Sequence, residues 1–190
     1  MKKLVLAILL LAGLTTNAQT GHLTFKGVPI DGTINEFVGK LKQKGLRHMG
    51  TENGSAILIG DFASYKECTI AVASYDNGIV SKVVVAFPDK DTWSKLYNNY
   101  ATLKEMLTEK YGEPALVEER FDGYGEPDDD EDRMYRVKFD RCKYLCDFAA
   151  DGGIIELRIE HTGVSSCYII LIYQDTANTE KARSSAIDDL

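Results

Sequence analysis

Residue types that mark catalytic and metal sites are scarce in this 190-residue chain, which has three histidines, four cysteines and one tryptophan. The histidines, His22, His48 and His161, lie far apart, and none has a second ligand at the i, i+4 spacing of a helical zinc site. No Gly-x-Ser-x-Gly elbow and no phosphate-binding glycine loop occurs. The sequence therefore gives no catalytic signature and predicts no bound cofactor.

Long hydrophobic runs are absent beyond the first eighteen residues, so we expect no membrane-spanning segment. The chain begins with two lysines, an apolar stretch from Leu4 to Leu14, and a small-x-small site at Thr16 to Ala18. This order is typical of a cleaved signal peptide over residues 1–18. We therefore expect a periplasmic or secreted protein whose mature chain begins at Gln19.

Basic residues are also fewer than acidic ones. The chain has 22 Lys and Arg against 29 Asp and Glu, which gives a formal net charge of −7. Loss of the two lysines in the signal peptide would make the mature chain more acidic still. Such a chain would repel nucleic-acid phosphates and anionic membrane surfaces. We therefore expect no nucleic-acid partner, whereas a protein, peptide or small-ligand partner stays open.

Four cysteines are an even number, which in an oxidising compartment predicts disulfide bonds. The sequence around Cys142 and Cys146 predicts one extended segment, in which their Cα atoms would be about 13 Å apart. A disulfide needs Cα atoms about 4.4–6.8 Å apart. Their direct pairing therefore requires a turn at residues 140–142. If two bonds form, Cys68 pairs with Cys142 or Cys146, and Cys167 pairs with the other. A zinc site is the alternative, although no histidines stand at ligand spacing.

The longest helix is predicted from Trp93 to Tyr111. Its apolar residues recur at spacings of three and four, so they form one stripe that packs on a sheet. Asp91 can cap its start, Gly112 can adopt a left-handed conformation at its end, and Pro114 stops it. The stripe consists of Trp93, Leu96, Tyr97, Tyr100, Leu103, Met106 and Leu107.

Sheet-forming sequence lies on both sides of this helix. Before it, a capping box at Thr33 and Glu36 begins a helix over residues 34–44. Strands are then predicted at residues 56–61, 68–75 and 79–87, with a hairpin turn at Asp76-Asn77-Gly78. After the helix, strands are predicted at residues 115–121, 135–139, 144–148, 154–160 and 167–173, with a turn at residues 151–153 and a weakly helical tail at residues 177–190.

An acidic loop over residues 122–132 is the most unusual surface feature. Its carboxylates could gather around Ca²⁺, which prefers several oxygen ligands. The spacing differs from that of an EF-hand, and Pro127 stiffens the middle, so a solvated loop is the simpler interpretation. The calcium candidates are Asp128, Asp129, Asp130 and Asp132.

The two halves of the chain are alike in the order of their elements. The match sets the turn at residues 76–78 against the turn at residues 151–153, each before a strand. We therefore predict an α+β fold in which two tandem helix-plus-antiparallel-β-meander units pack around a shared sheet. An undivided α+β domain is the alternative. The predicted parts are the signal peptide, units at residues 19–88 and 89–174, and a tail at residues 175–190.

The signal peptide, the helix ending in Lys110-Tyr111-Gly112-Glu113-Pro114, and the helix-plus-meander units resemble small exported proteins of the Bacteroidetes type. The repeat pattern is also similar to the β-lactamase-inhibitor-protein-like fold, which implies a concave sheet. The resemblance implies no functional residues, because no inhibitor loop can be matched.

Three functions follow from these features as hypotheses. The first is a non-enzymatic exported binding module whose sheet face recognises a protein, peptide or lipid-like ligand. The second is a small hydrolase of envelope polymers, which needs a cleft with two close carboxylates or a perturbed histidine. The third is a calcium-stabilised structural protein.

Overall fold

The computed structural model describes residues 21–52, 54–74, 78–123 and 125–188. The predicted signal peptide, and Asp76 and Asn77 of the predicted turn, lie outside these residues. The helices within them are α1 (Ile34–Gln43), α2 (Trp93–Tyr111), α3 (Asp130–Lys138) and α4 (Thr176–Asp188). The strands are β1 (Thr24–Phe25), β2 (Val28–Pro29), β3 (Arg47–Glu52), β4 (Ser55–Phe62), β5 (Tyr65–Ser74), β6 (Val80–Ala86), β7 (Leu116–Phe121), β8 (Cys142–Ala150), β9 (Gly153–Thr162) and β10 (Ser166–Asp175).

Eight antiparallel strands form the main sheet in the order β3-β4-β5-β6-β10-β9-β8-β7, and β1 pairs with β2 separately. Each half of the chain supplies a helix followed by four strands, with α3 inserted between β7 and β8. The last strands of the two halves, β6 and β10, pair at the centre of the sheet, where Val84 lies opposite Ile172. The predicted α+β fold, with two helix-plus-meander units on a shared sheet, is confirmed.

The strand order corrects the equivalence predicted between the halves. Matching the turn at residues 76–78 with the turn at residues 151–153 sets β6 against β9, whereas β6 and β10 hold equivalent central positions. The match is displaced by one strand because the sequence prediction lacks β3. All five side chains of this strand are exposed, and its sixth residue is Gly50, so it carries no apolar stripe. A strand without that stripe has no hydrophobic pattern, so the sequence prediction omits it.

The first two helices begin and end largely as their sequences predict. In α1 the Thr33 hydroxyl accepts from the Glu36 amide, and the Glu36 carboxylate accepts from the Thr33 amide at 2.9 Å, which confirms the capping box. In α2 the N-cap is Thr92, so the predicted cap at Asp91 is wrong. Asp91 instead accepts a hydrogen bond from the Lys95 side chain at 2.9 Å.

A helix replaces the strand predicted at residues 135–139, and that prediction is wrong. α3 begins after the N-cap Asp129, whose carboxylate accepts from the Asp132 amide at 2.8 Å. Met134 and Val137, three residues apart, are its buried side chains. Alternation over five residues fits a strand as well as a helix, but the acidic first turn favours a helix through the helix dipole.

The hydrophobic core lies between the helices and one face of the sheet. Alternate residues of β4, β5, β6, β8, β9 and β10 point into it, as Cys68, Ile70 and Val72 do from β5. The α2 stripe packs there as predicted, with Tyr97 and Met106 at its exposed edge. Among the described residues, Ile170 is the one buried hydrophobic outside this core cluster. It belongs to the opposite face of the sheet.

Candidate functional site

The face of the sheet opposite the core, here called the open face, carries the strand residues that alternate with core residues. Strand pairing places seven of these side chains in one row across the sheet. Neighbouring strands are about 4.8 Å apart, so six steps span about 29 Å. In order from β4 to β7, this middle row is Ile57, Ala71, Val84, Ile172, Glu156, Asp147 and Leu116. The adjacent row is Ile59, Thr69, Ala86, Ile170, Arg158, Leu145 and Glu118.

In one half of the open face, on β4, β5, β6 and β10, the two rows are apolar apart from Thr69, whereas Lys82 and Gln174 pair in the next row. Small side chains on β5, such as Ala71, lie between larger ones on β4 and on the central pair β6 and β10. Ile170 is only 7% exposed, and Ile57, Val84 and Ile172 are half-buried, although none of them belongs to the core cluster. α4 contacts β6, β9 and β10, and Asn178 is its one buried residue among those described. This half therefore offers contiguous aliphatic surface.

The other half of the open face is a ladder of ion pairs. Arg158 bridges Glu156 at 3.1 Å and Glu160 at 3.0 Å along β9. At the edge, Arg120 contacts Glu118 at 2.7 Å. These cations are thus already engaged by acids of their own strands, and they leave little positive charge to attract an anionic ligand.

Asp147 differs from the other acids of this ladder, although Arg158 Nε in the adjacent row is likewise buried without a hydrogen-bond partner among the described residues. Asp147 lies between Leu116 on β7 and Glu156 on β9, in the middle row. Its buried Oδ1 has no hydrogen-bond partner among the described residues. Burial raises the pKa of the Asp147 carboxyl. The position therefore combines an acid whose Oδ1 is unpaired with a leucine on one side and a second acid on the other, and an unpaired buried oxygen is destabilising unless a partner satisfies it.

A shallow depression of about 290 Å³ lies at one end of the open face. Thr69, Ala86 and Tyr168 contribute to its lining, and Glu67 and Asp89 contribute two acids. It extends the pattern of the middle row, in which small or aliphatic side chains adjoin carboxylates.

The calcium candidates lie just before α3 and in its first turn, and three of their four carboxylates already have protein partners. Asp129 caps the helix, and Asp130 accepts from the Ser94 amide and hydroxyl at 3.1 and 2.9 Å. Asp132 pairs with Arg136, whereas Asp128 is exposed. No group of three or more metal-binding side chains occurs within the part of the chain that the structure describes.

All four cysteines are free thiols, which corrects the predicted disulfides. Cys68 lies on β5 and Cys146 on β8, four strand positions apart, or about 19 Å against the roughly 4.4–6.8 Å between Cα atoms in a disulfide. Cys142 shares β8 with Cys146, so it is as remote from Cys68. Two strand steps also separate Cys142 from Cys167 on β10. The predicted pairings therefore fail on sheet geometry.

The histidines are held in structural contacts or exposed. His161 uses both ring nitrogens, with Nε2 2.9 Å from Asp140 Oδ1 and Nδ1 2.8 Å from the Gly163 carbonyl oxygen. These contacts raise the His161 pKa, the Asp140 hydrogen bond most of all. Cys167 is its cross-strand neighbour, but both nitrogens are engaged elsewhere, so no base is available to activate that thiol.

An aromatic cluster joins α2 to the edge of the sheet on the core side. Trp93 packs against Tyr97, Phe121 and Tyr144 with ring centroids about 5 to 5.5 Å apart. The hydroxyl of buried Tyr100 donates to Glu119 Oε1 at 3.0 Å, and burial raises the Tyr100 pKa. Tyr97 stays 39% exposed. The cluster explains the stripe on α2 as packing, as its sequence predicts.

Sequence reasoning did not single out the residues of the open face. A signal for them is visible in β5, where Cys68, Ile70 and Val72 alternate with Thr69 and Ala71. Alternation identifies the two faces of one strand, but it does not say which strands lie side by side. Asp147 and Ile172 therefore come together only through the pairing of β8, β9 and β10.

Within the described residues, no helix has the length and hydrophobicity needed to cross a membrane. Comparison of the chain with protein-family models, with curated proteins and with solved structures found no match.

Proposed function

We propose that this chain is a non-enzymatic binding module of an exported protein and that the open face is its binding surface. The observation that carries the proposal is the row of aliphatic side chains from Ile57 to Ile172, which contributes nothing to the core cluster. Contiguous apolar surface of this kind on a soluble domain marks an interaction site. A flat sheet face suits a macromolecular partner better than a small molecule, which prefers a deep cleft.

Export is part of the same proposal and places the module in the periplasm or outside the cell. Its support is the lysine start, the apolar stretch and the small-x-small site within residues 1–18. Free cysteines are compatible with that location, because Cys68, Cys146 and Cys167 are buried and burial raises the pKa of each thiol. Mass measurement of the protein recovered from the periplasm should show a chain that begins at Gln19.

Binding by the open face can be tested with N-phenyl-1-naphthylamine, an uncharged probe that fluoresces on apolar surfaces. We expect the folded protein to bind it and Ala71→Arg to abolish the signal, because a long charged side chain would cover the middle of the aliphatic row. Ala186→Arg makes the same change on the exposed side of α4 and should leave binding intact. Equal signals from both variants would contradict the proposal.

A hydrolase is the second candidate, because Asp147 lies directly opposite Glu156 on the neighbouring strand. Two close carboxylates, one with a raised pKa, are what glycoside hydrolysis requires. Binding remains the better-supported function, because Arg158 holds Glu156 and the pair lies on an open sheet face. If the protein released reducing sugars from envelope glycans and Asp147→Asn abolished that activity, hydrolysis would become the better-supported function.

A further inference from the structure

We propose that the open face binds an extended peptide segment in which a basic side chain adjoins aliphatic ones, with Asp147 receiving the basic group. The inference rests on the proposed binding function and adds the chemistry of the ligand. It follows from three observations. These are the unpaired acid on the open face, the order of side chains in the middle row, and the net charge of the chain.

The first observation is the isolation of Asp147. The other acids of this half have cations, as Glu156 and Glu160 share Arg158. Asp147 has no such partner among the described residues, and its Oδ1 is buried without a donor. A lysine or arginine side chain from a ligand would supply the missing charge, and rotation of the Asp147 carboxylate would bring the shielded Oδ1 to an N–H group of that ligand.

The second observation is the order of the middle row, in which Asp147 and Glu156 are followed by Ile172 and Val84. Ile172 lies two strand steps from Asp147 and Val84 three, about 10 and 14 Å at the usual strand spacing. Side chains on one side of an extended peptide repeat every 7 Å or so. A basic residue over Asp147 therefore places the next same-side residue between Glu156 and Ile172 and the one after it near Val84.

The third observation is electrostatic. The chain carries a net charge of −7, and the depression at the end of the open face adds Glu67 and Asp89. Such a field attracts basic segments and repels anionic lipid headgroups and nucleic acid. Charge complementarity therefore favours a basic peptide over a membrane surface as the occupant.

The test uses three blocked, dye-labelled pentapeptides of the form X-Ser-Val-Ser-Val, in which X is lysine, serine or glutamate, so that X and the two valines lie on one side of the extended chain. Their affinities for the full chain are measured by fluorescence anisotropy, and the contacted residues by amide chemical-shift changes. We expect the lysine peptide to bind most tightly and the glutamate peptide least. Asp147→Asn should lower the affinity for the lysine peptide about tenfold and leave the serine peptide unchanged. Asp128→Asn, which removes the same charge from an exposed loop, should change neither.

Separate variants distinguish failure of this inference from failure of the binding function. Ala71→Arg should weaken all three peptides, and Ile57→Thr, a milder change, guards against misfolding of the arginine variant. If these variants weaken binding but Asp147→Asn leaves the lysine preference intact, the inference about Asp147 is overturned and the binding face stands. If no peptide binds the natural chain, or if phosphatidylcholine vesicles bind in their place, the inference is overturned as well.

Discussion

The side-chain amide of Asn178 donates to the carbonyl oxygen of Val80 at 3.0 Å, across 98 positions of sequence. The same Nδ2 donates to the carbonyl oxygen of Ile30 at 3.0 Å. Asp175, which is fully buried, accepts from the amides of Leu23 and Asn178 at 2.8 and 2.9 Å. These two polar residues thus join the beginning of α4, the start of β6 and the N-terminal hairpin, and each of these bonds satisfies a buried backbone group.

Asn178→Ala should destabilise the fold because it leaves two buried carbonyl oxygens without donors. An unsatisfied buried group costs about 1–3 kcal/mol, so we expect a loss of unfolding free energy in that range. Urea denaturation followed by circular dichroism measures it. Asn98→Ala, on the exposed side of α2, is the matched control and should change stability by less than about 0.5 kcal/mol. Similar behaviour of both variants would contradict the structural role.

The cysteines lead to a second prediction. The four thiols are free, and burial, with a smaller contribution from Cys167, raises the pKa of Cys142 to about 12. Iodoacetamide at pH 8 should therefore label the folded protein slowly, because the thiolate is scarce and poorly accessible. In guanidinium without reductant, four adducts should form. Two adducts or none in guanidinium would show disulfides and would contradict this structure.

Local sequence was a good guide wherever a single element could be recognised by its own residues. The capping box at Thr33 and Glu36 and the stripe from Trp93 to Leu107 predict α1 and α2 because both signals are complete within a few turns. In contrast, α3 has a short apolar stripe, and β3 has none. Elements that bury little are therefore the ones that the hydrophobic pattern missed or misassigned.

The candidate site could not be predicted in the same way because it depends on strand neighbours. Ala71, Ile172 and Asp147 are distant in sequence, and they share a row only because β6 pairs with β10 at the centre of the sheet. The predicted match between the halves made the strand after residues 151–153, which is β9, the counterpart of β6, and it gave no strand order from which the row could be traced. Register between distant strands is set by packing of the whole sheet, which no local motif encodes.

A third prediction concerns pH. His161 donates to the Asp140 carboxylate and the Gly163 carbonyl oxygen only when both its ring nitrogens carry protons, so its folded-state pKa is raised. This contribution to stability is therefore complete below the unfolded pKa of about 6.5 and is lost as pH rises through the folded pKa. Thermal unfolding between pH 5.5 and 8.5 should show a decline in stability over this range that His161→Gln lacks.

Asp140→Asn provides the control for that pH dependence. Asp140 has φ +56°, a conformation that asparagine also tolerates, so the substitution removes the charge without backbone strain. We expect the stability of Asp140→Asn, like that of His161→Gln, to decline less between pH 5.5 and 8.5 than the stability of the unchanged protein. An unchanged profile would show that another group is responsible.

The final prediction separates stability from binding at Asp147. Burial raises the pKa of this carboxyl in the folded chain, so its ionised form is less favourable there than in the unfolded chain. Asp147→Asn should therefore raise the thermal midpoint at pH 7. The sign follows from linkage, because the penalty is present above the folded pKa and disappears as pH falls below the unfolded value of about 3.9. The stability difference between the two chains should accordingly shrink between pH 7 and pH 3.5.

A residue retained only for packing would behave differently. Loss of a carboxylate that supports the fold would lower the midpoint at pH 7, as we expect for Asp175→Asn, whose carboxylate accepts two backbone amides. If Asp147→Asn is more stable but binds basic peptides less well, the acid is kept at a cost to the fold, which is the pattern of a binding site. If Asp147→Asn is less stable at pH 7, Asp147 has a structural partner and its assignment to the ligand is wrong.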